Sequence, residues 1–475
     1  MKVSLAGTNV ELTPLLEALD GKPGSALLSP EPIAAAYARI SRSSLTVEEL
    51  REEARTNVER ARRSNRSIVF DMGHASIAEH AVFNIDIEDI SRLAIESLQQ
   101  SRLASYTERS QRYVLLGKDY LVPDELAADS ACREVFEATV GRLFTGYNEL
   151  FVALRKHHQK VSAPATKSAQ RAIENRSKED ARYVLPLATT GQLGMTINAR
   201  TLESMVRRMK GSRLAEVRKL GLTLEEAVQE IVPSLVRYTE PTASDELLYQ
   251  HCILDAKGWS KLPSIPRTVG SERVFLRHVT QGAEVLLRHL LAATVSGDPY
   301  GSGGDNSEAE LADWIGAFYS RATPHTPAPR LFEAVDLIFE LVCSASCFGQ
   351  LKRHRMATVL PSPYSPGLGV VVPPAVREAG LEEQFLAVVA AAEEGFCELS
   401  KREVGGREYL LTNCHSRRVW IKMNLRELYH FSRLRMDSHS QWEIRLLANR
   451  MAEMARDALP DAAAFLGGKD TFGQP

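Results

Sequence analysis

Two stretches of the chain combine charged and polar side chains in patterns suited to binding a nucleotide. The first spans residues 105–113 and places Glu108, Ser110 and Arg112 at every second position. If this segment is extended, the three side chains point to one side, because side chains alternate along a strand. They offer an acceptor, a hydroxyl and a guanidinium, which are the groups that the sugar and phosphate of a nucleotide require.

The second stretch is the positively charged run Lys352–Arg355. Guanidinium groups bind oxyanions through paired hydrogen bonds and stack on flat rings, so this run suits a phosphate or an electron-rich ring. Further on, Arg426 and His430 are four residues apart and are expected to share one helix face. A less specific interpretation stays open. An Arg-His-Arg run is often a solvated surface segment, and His439 and Trp442 can simply pack or cap a helix.

Other kinds of active site have little support in the sequence. No Ser-His-Asp or Cys-His order is visible, which argues against a side-chain nucleophile. Cys343 and Cys347 lie one helical turn apart, but no nearby His or Cys completes a zinc set. The glycine-rich segment 301–306 predicts a loop, and it lacks the Gly-Lys-Ser/Thr of a phosphate-binding P-loop.

The sequence repeats itself. Four short segments recur in the same order, and three of the four recur at a spacing of about 250 residues. The matching pairs are 38–41 with 293–296, 74–76 with 325–327, 101–105 with 354–358, and 198–202 with 424–428. The last pair is closer, which indicates about 27 extra residues in the first copy between Arg112 and Asn198. A tandem duplication explains the pattern, with its seam in the segment 238–267, which contains two Pro-rich turn signals.

Local patterns within each copy predict a mixed fold. Residues 81–88 alternate between apolar and polar, which predicts a half-buried strand, and residues 90–98 then follow a helical period. In the second copy, residues 425–431 and 447–454 predict two successive helices. Asp437 and Ser438 are expected to cap the second of these helices. Residues 385–392 are the longest apolar run and predict part of a buried helix.

Composition restricts the possible partners. The chain has 475 residues and a net charge of −2, with 44% hydrophobic and 25% charged residues. A general nucleic-acid binder normally carries a basic excess, so nucleic acid is not expected as a partner. No apolar run approaches the ~20 residues that cross a bilayer, so no membrane association is expected. Six cysteines are too few for a disulfide scaffold, and with no signal peptide the sequence predicts a cytoplasmic protein.

Several motifs resemble flavin-dependent thymidylate synthase. The motifs are Gly73–Phe83, Ala104–Tyr113 and Glu179–Pro186 in the first copy, and Arg353–Arg355, Asn424–Arg426 and Leu434–Ile444 in the second. The resemblance implies methylation of dUMP to dTMP, with the carbon taken from methylenetetrahydrofolate and the hydride supplied by FAD that NADPH has reduced. It implies no enzyme nucleophile. An arginine near the uracil stabilises ionisation at N3, the expected use of a fixed cation in a dry site.

The resemblance also implies an architecture. It predicts an α+β fold in which two tandem copies of the thymidylate synthase fold form a pseudo-dimer. The copies are expected at residues 1–240 and 268–475, with a linker at 241–267. Family members normally form homotetramers with active sites shared between subunits. The prediction for this chain is therefore a homodimer of tandem chains.

Neither copy matches the family pattern completely. In the first copy, Gln100-Ser101-Arg102 occupies the Arg-His-Arg position and Ser97 replaces the preceding glutamine. The position of the activating arginine falls near Met209, with Arg208 one residue away. In the second copy, Pro361, Pro363 and Ser365 replace the Glu, Ser and Arg of the dUMP-contacting segment. The losses are complementary. The resemblance therefore implies one intact composite site and one degenerate site.

The resemblance implies roles for residues of both copies. The dUMP-binding residues are Glu108, Ser110, Arg112 and Arg182 from the first copy and Gln350, Arg353, Arg435 and Gln441 from the second. Arg435 is the catalytic, activating residue. The FAD-binding residues are Ser41, Ser76 and Glu79 from the first copy and Arg353, His354, Arg355, Asn424, Arg426 and His430 from the second. No metal is expected.

Two alternative functions stay open at this point. The chain could be a relative that binds FAD but modifies another pyrimidine nucleotide or transfers a different one-carbon state. It could also be a non-catalytic protein that keeps the fold for binding or assembly. Retention of Arg435 and Gln350 beside Glu108 and Arg112 favours an enzyme over the non-catalytic alternative.

Overall fold

A computed structural model describes residues 1–20, 28–162, 166–245, 273–295 and 308–472. The predicted loop at 301–306 and most of the predicted linker lie outside these ranges. None of the described helices is long and apolar enough to cross a membrane.

Two four-stranded antiparallel sheets with the same strand order form the framework. The first sheet has the order β1-β2-β4-β3 and the second has the order β5-β6-β8-β7. The strands are β1 (Lys2–Thr8), β2 (Val82–Ser91), β3 (Ala104–Glu108), β4 (Thr190–Asn198), β5 (Val274–Val279), β6 (Asp336–Ser344), β7 (Thr358–Pro361) and β8 (Ser416–Asn424). The repeated topology confirms the mixed fold and the duplication.

The helices follow the same repeated plan. Those of the first sequence copy are α1 (Leu12–Leu19), α2 (Glu31–Arg39), α3 (Val47–Thr56), α4 (Val58–Arg66), α5 (Arg92–Leu98), α6 (Asp124–Ala127), α7 (Ser130–Ser162), α8 (Lys167–Ala181), α9 (Ala199–Lys210) and α10 (Ala215–Gln229). Those of the second copy are α11 (Ala283–Val295), α12 (Glu308–Tyr319), α13 (Ala345–Leu351), α14 (Pro374–Glu378), α15 (Glu382–Lys401), α16 (Leu425–Arg435) and α17 (Trp442–Ala458). Between β3 and β4, the first copy has α8 in addition to α7. Between β7 and β8, the second copy has one long helix, α15.

Short-range chemistry sets the ends of these elements. Phe83, Ile85 and Ile87 are buried on one face of β2, as their alternation predicts. Ser91 ends β2 and caps α5, its hydroxyl accepting from the Ala94 amide. One expectation is wrong. Gln441, not Asp437 or Ser438, caps α17, because its side-chain oxygen accepts from the Ile444 amide while Asp437 is engaged with His439.

The core of the second sheet lies between one sheet face and the helices that cover it. Phe339 and Ile421 are directly paired on β6 and β8 and are fully buried. Leu428 of α16 and Met451 of α17 belong to the same buried cluster. This packing fixes the start of α16, which carries several of the predicted site residues.

The chain divides into two compact units that exchange segments of sequence. The first unit contains Met1–Thr145, Leu185–Leu262 and Ala390–Leu410, and the second contains Gly146–Val184, Pro263–Val389 and Leu411–Pro475. Each unit therefore includes part of the other sequence copy. The copy boundaries stay a prediction about the sequence repeat, and they do not coincide with the compact units.

Candidate active site

In the second unit, a buried cluster of Ser344, Glu443 and Tyr183 holds Gly146–Val184, the segment that comes from the first copy. The Ser344 hydroxyl donates to Glu443 Oε2 at 2.5 Å, and the Ser344 amide donates to Oε1 at 2.9 Å. The Tyr183 hydroxyl donates to Glu443 Oε2 at 2.7 Å and accepts from Gln441 Nε2 at 2.7 Å. Burial raises the pKa of the Tyr183 hydroxyl well above its usual range. Tyr183 comes from the first sequence copy and its partners come from the second.

The first unit contains the equivalent cluster with the copies reversed. The Ser91 hydroxyl donates to Glu216 Oε2 at 2.6 Å, and the Tyr409 hydroxyl donates to the same oxygen at 2.8 Å. Tyr409 therefore corresponds to Tyr183. The neighbouring residues then correspond as well, so that Glu408 occupies in the first unit the place that Arg182 has in the second. Glu408 is paired there with Arg213.

Arg182 belongs to the second unit and directly precedes Tyr183, which contacts Gln441 of the other copy. Its side chain is buried and donates through Nε to the Glu179 carbonyl at 3.2 Å, and its own carbonyl accepts from Asn413 at 3.0 Å. The next residue is Tyr183, which holds Gln441. The second unit thus brings together a predicted dUMP residue of the first copy and one of the second.

Asp180, in α8 of the first copy, contacts Trp442 at the start of α17. Its carboxylate accepts from Trp442 Nε1 at 3.0 Å, and the indole of Trp442 stacks on the Tyr183 ring. Burial raises the pKa of the Asp180 carboxyl to about 7. His158 near the end of α7 is also buried, with Nε2 4.0 Å from Asp180 Oδ2, and burial lowers its pKa to about 4. Part of the predicted insertion therefore lines the same region as Gln441.

Arg435 sits at the centre of the second group of predicted site residues. Its Nε donates to His354 Nε2 at 2.9 Å, its Nη1 donates to Gln350 Oε1 at 3.1 Å, and its Nη2 donates to the Gln350 carbonyl at 3.2 Å. Nδ1 of His354 lies 3.1 Å from Glu427 Oε1. The structure therefore places predicted residues of α13, of the segment after it and of α16 in direct contact.

The environment makes His354 neutral. Only 4% of the residue is exposed, and burial together with the Arg435 charge lowers its pKa well below its ordinary value. Burial also raises the pKa of the Glu427 carboxyl to about 7. The expectation of a continuous positive run at Lys352–Arg355 is therefore wrong for its histidine. Arg353 and Arg355, on either side, are exposed.

The remaining FAD candidates of the second unit lie on or just before α16. The Asn424 side chain caps this helix by accepting from the Glu427 amide at 2.8 Å. Arg426 pairs with Glu333 at 2.5 Å and donates to the Ala328 carbonyl at 2.8 Å. His430, one turn further, is exposed, so the predicted shared face exists.

The three FAD candidates of the first unit are exposed and lie on short helical turns. Ser41 belongs to Ile40–Arg42, and Ser76 and Glu79 belong to Ala75–His80. Glu79 pairs with Arg200 at 2.5 Å. This pair is the counterpart of Glu333 with Arg426, so both copies keep the same salt bridge.

The alternation of Glu108, Ser110 and Arg112 does not continue as a strand. β3 ends at Glu108, and the chain then turns, with the Ser110 hydroxyl accepting from the Arg112 amide at 3.1 Å. The condition under which all three side chains would point to one side, an extended segment from Glu108 to Arg112, is therefore not met. Glu108 accepts from Arg92 at 2.7 Å and from Gln99 at 2.6 Å, which fixes its carboxylate.

In the second copy, the space beside the corresponding segment, residues 361–365, is occupied by side chains of the same copy. Arg417 is buried with its guanidinium 4.1 Å from the Tyr364 ring centroid and 4.5 Å from that of Phe348. It also donates through Nε to the Ser362 carbonyl at 2.7 Å. Stacking of this kind occupies the space next to Pro361 and Pro363 with protein.

The sequence analysis assigned no role to three residues that contact predicted site residues or their neighbours, namely Glu427, Tyr183 and Asp180, although Tyr183 and Asp180 lie within the motif Glu179–Pro186. Glu427 contacts His354, and Tyr183 contacts Gln441. A comparison of the two copies could have found Glu427, because Thr201 holds the corresponding position in the first copy. Among the described residues no group of three or more potential metal ligands occurs.

The family model for thymidylate synthase complementing protein (Thy1) matches the chain twice, at residues 25–234 and 286–461. A flavin-dependent thymidylate synthase of Clostridium tetani is 30% identical over 216 residues, which cover 45% of this chain and 84% of that enzyme. A relative from Chlamydia muridarum named "UPF0159 protein" is 23% identical over 444 residues, covering 87% of this chain and 82% of the relative.

Two solved structures are also similar to parts of the chain. One is the flavin-dependent thymidylate synthase ThyX of Helicobacter pylori complexed with FAD and dUMP, with a TM-score of 0.31, 18% identity and coverage of 50% of this chain and 100% of that one. The other is the UMP/dUMP methylase PolB of Streptomyces cacaoi, with a TM-score of 0.33, 18% identity and coverage of 49% and 92%. The two matches to the family model cover most of the sequence, and the chain belongs to the flavin-dependent thymidylate synthase (Thy1) family as a tandem duplication.

Proposed function

We propose that this chain is an FAD-dependent thymidylate synthase that converts dUMP to dTMP with methylenetetrahydrofolate and NADPH, using one active site per chain. One observation carries the proposal. The second unit holds Arg435 against Gln350 and His354 and also contains Arg182 of the other copy. The corresponding positions of the repeat are Met209, Ser97, Ser101 and Glu408. Arg208, one residue from Met209, donates to the Ser97 carbonyl, but the glutamine and histidine that contact Arg435 are replaced by Ser97 and Ser101.

Arg435 is the residue that activates the pyrimidine. A guanidinium remains charged at all physiological pH values, and Gln350 and His354 hold this one in a fixed orientation. A fixed cation stabilises the negative charge that develops when uracil ionises at N3. The chain then needs no side-chain nucleophile.

The rest of the nucleotide requires donors for a sugar and a phosphate. Within the second unit Arg182, Arg353, Gln350 and Gln441 supply guanidinium and amide groups suited to this task. The sequence motif adds Glu108, Ser110 and Arg112 to this set. Arg92 and Gln99 hold the Glu108 carboxylate in place. The inclusion of these three residues rests on the sequence motif and is tested by the Arg112 variant below.

The FAD candidates suit a flavin dinucleotide. Arg353 and Arg355 are exposed on either side of a buried histidine, and His430 is exposed on α16. Cationic and aromatic groups of this kind bind a diphosphate and stack on a flat ring. We assign FAD to these residues together with Asn424, Arg426 and the first-unit residues Ser41, Ser76 and Glu79. When bound, FAD supplies the hydride that NADPH provides.

The degenerate counterpart of the site is not expected to bind nucleotide. Glu408 places a carboxylate at the position of Arg182, and a carboxylate repels a phosphate. In the second copy Arg417 and Tyr364 fill the region of the lost Glu-Ser-Arg motif. These substitutions support a stoichiometry of one dUMP per chain.

We further propose that two chains form a dimer in the cytoplasm. One row across the second sheet supports this. It runs Phe275, Glu340, Trp420, Leu360, and its three large apolar side chains, Phe275, Trp420 and Leu360, are 36%, 40% and 63% exposed. Large apolar side chains exposed together are typical of an interface. Light scattering after size exclusion is expected to give twice the chain mass, and a monomer would remove this part of the proposal.

The activity is tested with the full chain reconstituted with FAD. We expect dTMP from dUMP, methylenetetrahydrofolate and NADPH, measured by mass spectrometry. Arg112→Ala and Arg435→Ala are each expected to abolish turnover, while Ser365→Ala, in the degenerate motif, retains it. Near-wild-type activity in either arginine variant would overturn the composite site. An FAD-loaded protein that leaves dUMP unchanged would indicate another pyrimidine, and a protein that cannot take up FAD would exclude both enzymatic alternatives.

A further inference from the structure

Arg435 is the first member of a buried hydrogen-bonded chain that ends at Glu427, a residue outside the binding motifs. Arg435 donates to His354 Nε2, and His354 Nδ1 faces Glu427 Oε1. The side chains of His354 and Glu427 are only 2% and 6% exposed. A carboxylate buried beside an imidazole that itself contacts the activating arginine indicates a role in orienting that arginine.

The hydrogen on Arg435 Nε determines which atoms donate and which accept along the row Arg435, His354, Glu427. The Arg435 Nε always carries a hydrogen, so His354 Nε2 must offer a lone pair at the 2.9 Å contact. The single proton of the neutral imidazole then lies on Nδ1 and is donated to Glu427 at 3.1 Å. The alternative tautomer would place two hydrogens between Arg435 and His354.

The surroundings favour the neutral imidazole in this tautomer. The His354 ring packs edge-on against Phe431, with centroids 4.7 Å apart. The charged and titratable groups that face it are Arg435, Glu427 and His430, and its exposed sequence neighbours are Arg353 and Arg355. Positive groups around the ring oppose a second proton, and the one carboxylate accepts the first.

Comparison of the two copies shows that the fold does not require these three residues. At the corresponding positions of the first copy, Ser101, Met209 and Thr201 replace His354, Arg435 and Glu427. Thr201 retains the backbone role, because its amide donates to the capping Asn198 as the Glu427 amide donates to Asn424. Helix capping therefore needs no carboxylate at this position. The first copy keeps an arginine one residue away, Arg208, whose Nη2 donates to the Ser97 carbonyl at 2.8 Å, but it has no imidazole or carboxylate at the positions of His354 and Glu427.

We propose that Glu427 is a positioning residue for Arg435: its carboxylate holds His354 with the proton on Nδ1, and the Nε2 lone pair then orients the guanidinium. The proposal rests on the proposed function, because it is the charge developing on the pyrimidine that requires a fixed guanidinium. Groups that orient metal ligands typically contribute about 10- to 100-fold to activity, and we expect an effect of the same order for a group that orients a fixed guanidinium.

The tautomer is measured first, by ¹⁵N NMR of the histidine-labelled full chain, with the His354 signals assigned by their loss in His354→Gln. We expect a protonated Nδ1 and a lone-pair Nε2 at about pH 8. Glu427→Leu removes the carboxylate that accepts the Nδ1 proton, so we expect the imidazole to lose its preference for this tautomer, whereas Glu427→Gln can still accept that proton through its amide oxygen. A charged His354, a proton on Nε2 in the wild type, or an unchanged tautomer in Glu427→Leu would overturn the proposal. This measurement needs no turnover, so it decides the geometry even if the proposed reaction fails.

The kinetic test follows dTMP formation. Glu427→Leu is expected to lower kcat by about 10- to 100-fold with little change in KM for dUMP, because the oriented charge acts mainly in the transition state. Glu427→Asp is expected to recover part of the loss. Glu216→Leu is the matched control, since Glu216 is a similarly buried carboxylate that accepts from Ser91 and Tyr409 in the first unit instead. An unchanged kcat in Glu427→Leu, or an equal loss in the control, would contradict the positioning role.

Discussion

At the scale of single residues, the duplication provides an internal comparison between structural and functional side chains. The Ser-Glu-Tyr clusters around Glu216 and Glu443 occur in both units, as do the salt bridges of Arg200 and Arg426. Arg435, with its partners His354 and Glu427, occurs once. We infer that a group kept in both copies is needed by the fold, whereas a group kept in one copy serves the proposed site.

Tyr183→Phe and Tyr409→Phe test this distinction as a matched pair. Each removes a buried hydroxyl that donates to a carboxylate, so each is expected to lower the free energy of unfolding by about 1–3 kcal/mol in urea titrations. Only Tyr183→Phe is also expected to lower kcat, because Gln441 loses the oxygen that accepts its amide hydrogen. An equal effect of both variants on kcat would contradict the assignment.

Asp180 is expected to make stability depend on pH. Burial raises the pKa of its carboxyl from 3.8 to about 7, so the folded state binds more protons than the unfolded state between these values. The free energy of unfolding therefore falls as the pH rises through that window. Asp180→Asn keeps an oxygen for Trp442 but cannot ionise. We expect a higher Tm than wild type at pH 8 and no advantage near pH 4, and a pH-independent difference in thermal scans would contradict this.

At the scale of elements, the sequence predicted what depends on local pattern. The alternation of residues 81–88 gave β2, and the apolar run 385–392 lies in α15 as expected. The end of β3 at Glu108 was missed, because a two-residue period does not reveal where a strand stops and a turn begins. The exchange of segments between the units was also missed. Tyr183 and Glu443 are 260 positions apart, and no local signal reports a contact over that separation.

Two glycines in the long helices test the packing of these elements. A Cβ on Gly395 of α15 would lie 2.6 Å from Thr139 Oγ1 and 3.0 Å from Leu410 Cδ1, whereas one on Gly141 of α7 would meet nothing within 4 Å. Gly395→Ala is expected to destabilise by about 1–3 kcal/mol through overpacking. Gly141→Ala is expected to stabilise by up to about 1 kcal/mol through helix propensity. Urea unfolding measures both, and a stabilising Gly395→Ala would contradict the close approach.

At the scale of the whole molecule, the length of 475 residues reflects two copies that have diverged in complementary ways. The fold is doubled, with two sheets of the same strand order. The set of predicted site residues is not doubled, because Arg182 and Arg435 have Glu408 and Met209 as their counterparts. The near-zero net charge gives no sign of this, since the arginines of the proposed site are a local concentration. A duplicated enzyme with one retained site can lose each motif from one copy without losing activity.

The stoichiometry of dUMP binding to the FAD-loaded full chain tests this account most directly. Isothermal titration is expected to give one dUMP per chain in the wild type. Arg112→Ala and Arg435→Ala, which alter different copies, are each expected to remove that binding, and Ser365→Ala is expected to leave one site. Two dUMP molecules per chain, or a full site remaining in either arginine variant, would contradict a single site built from both copies.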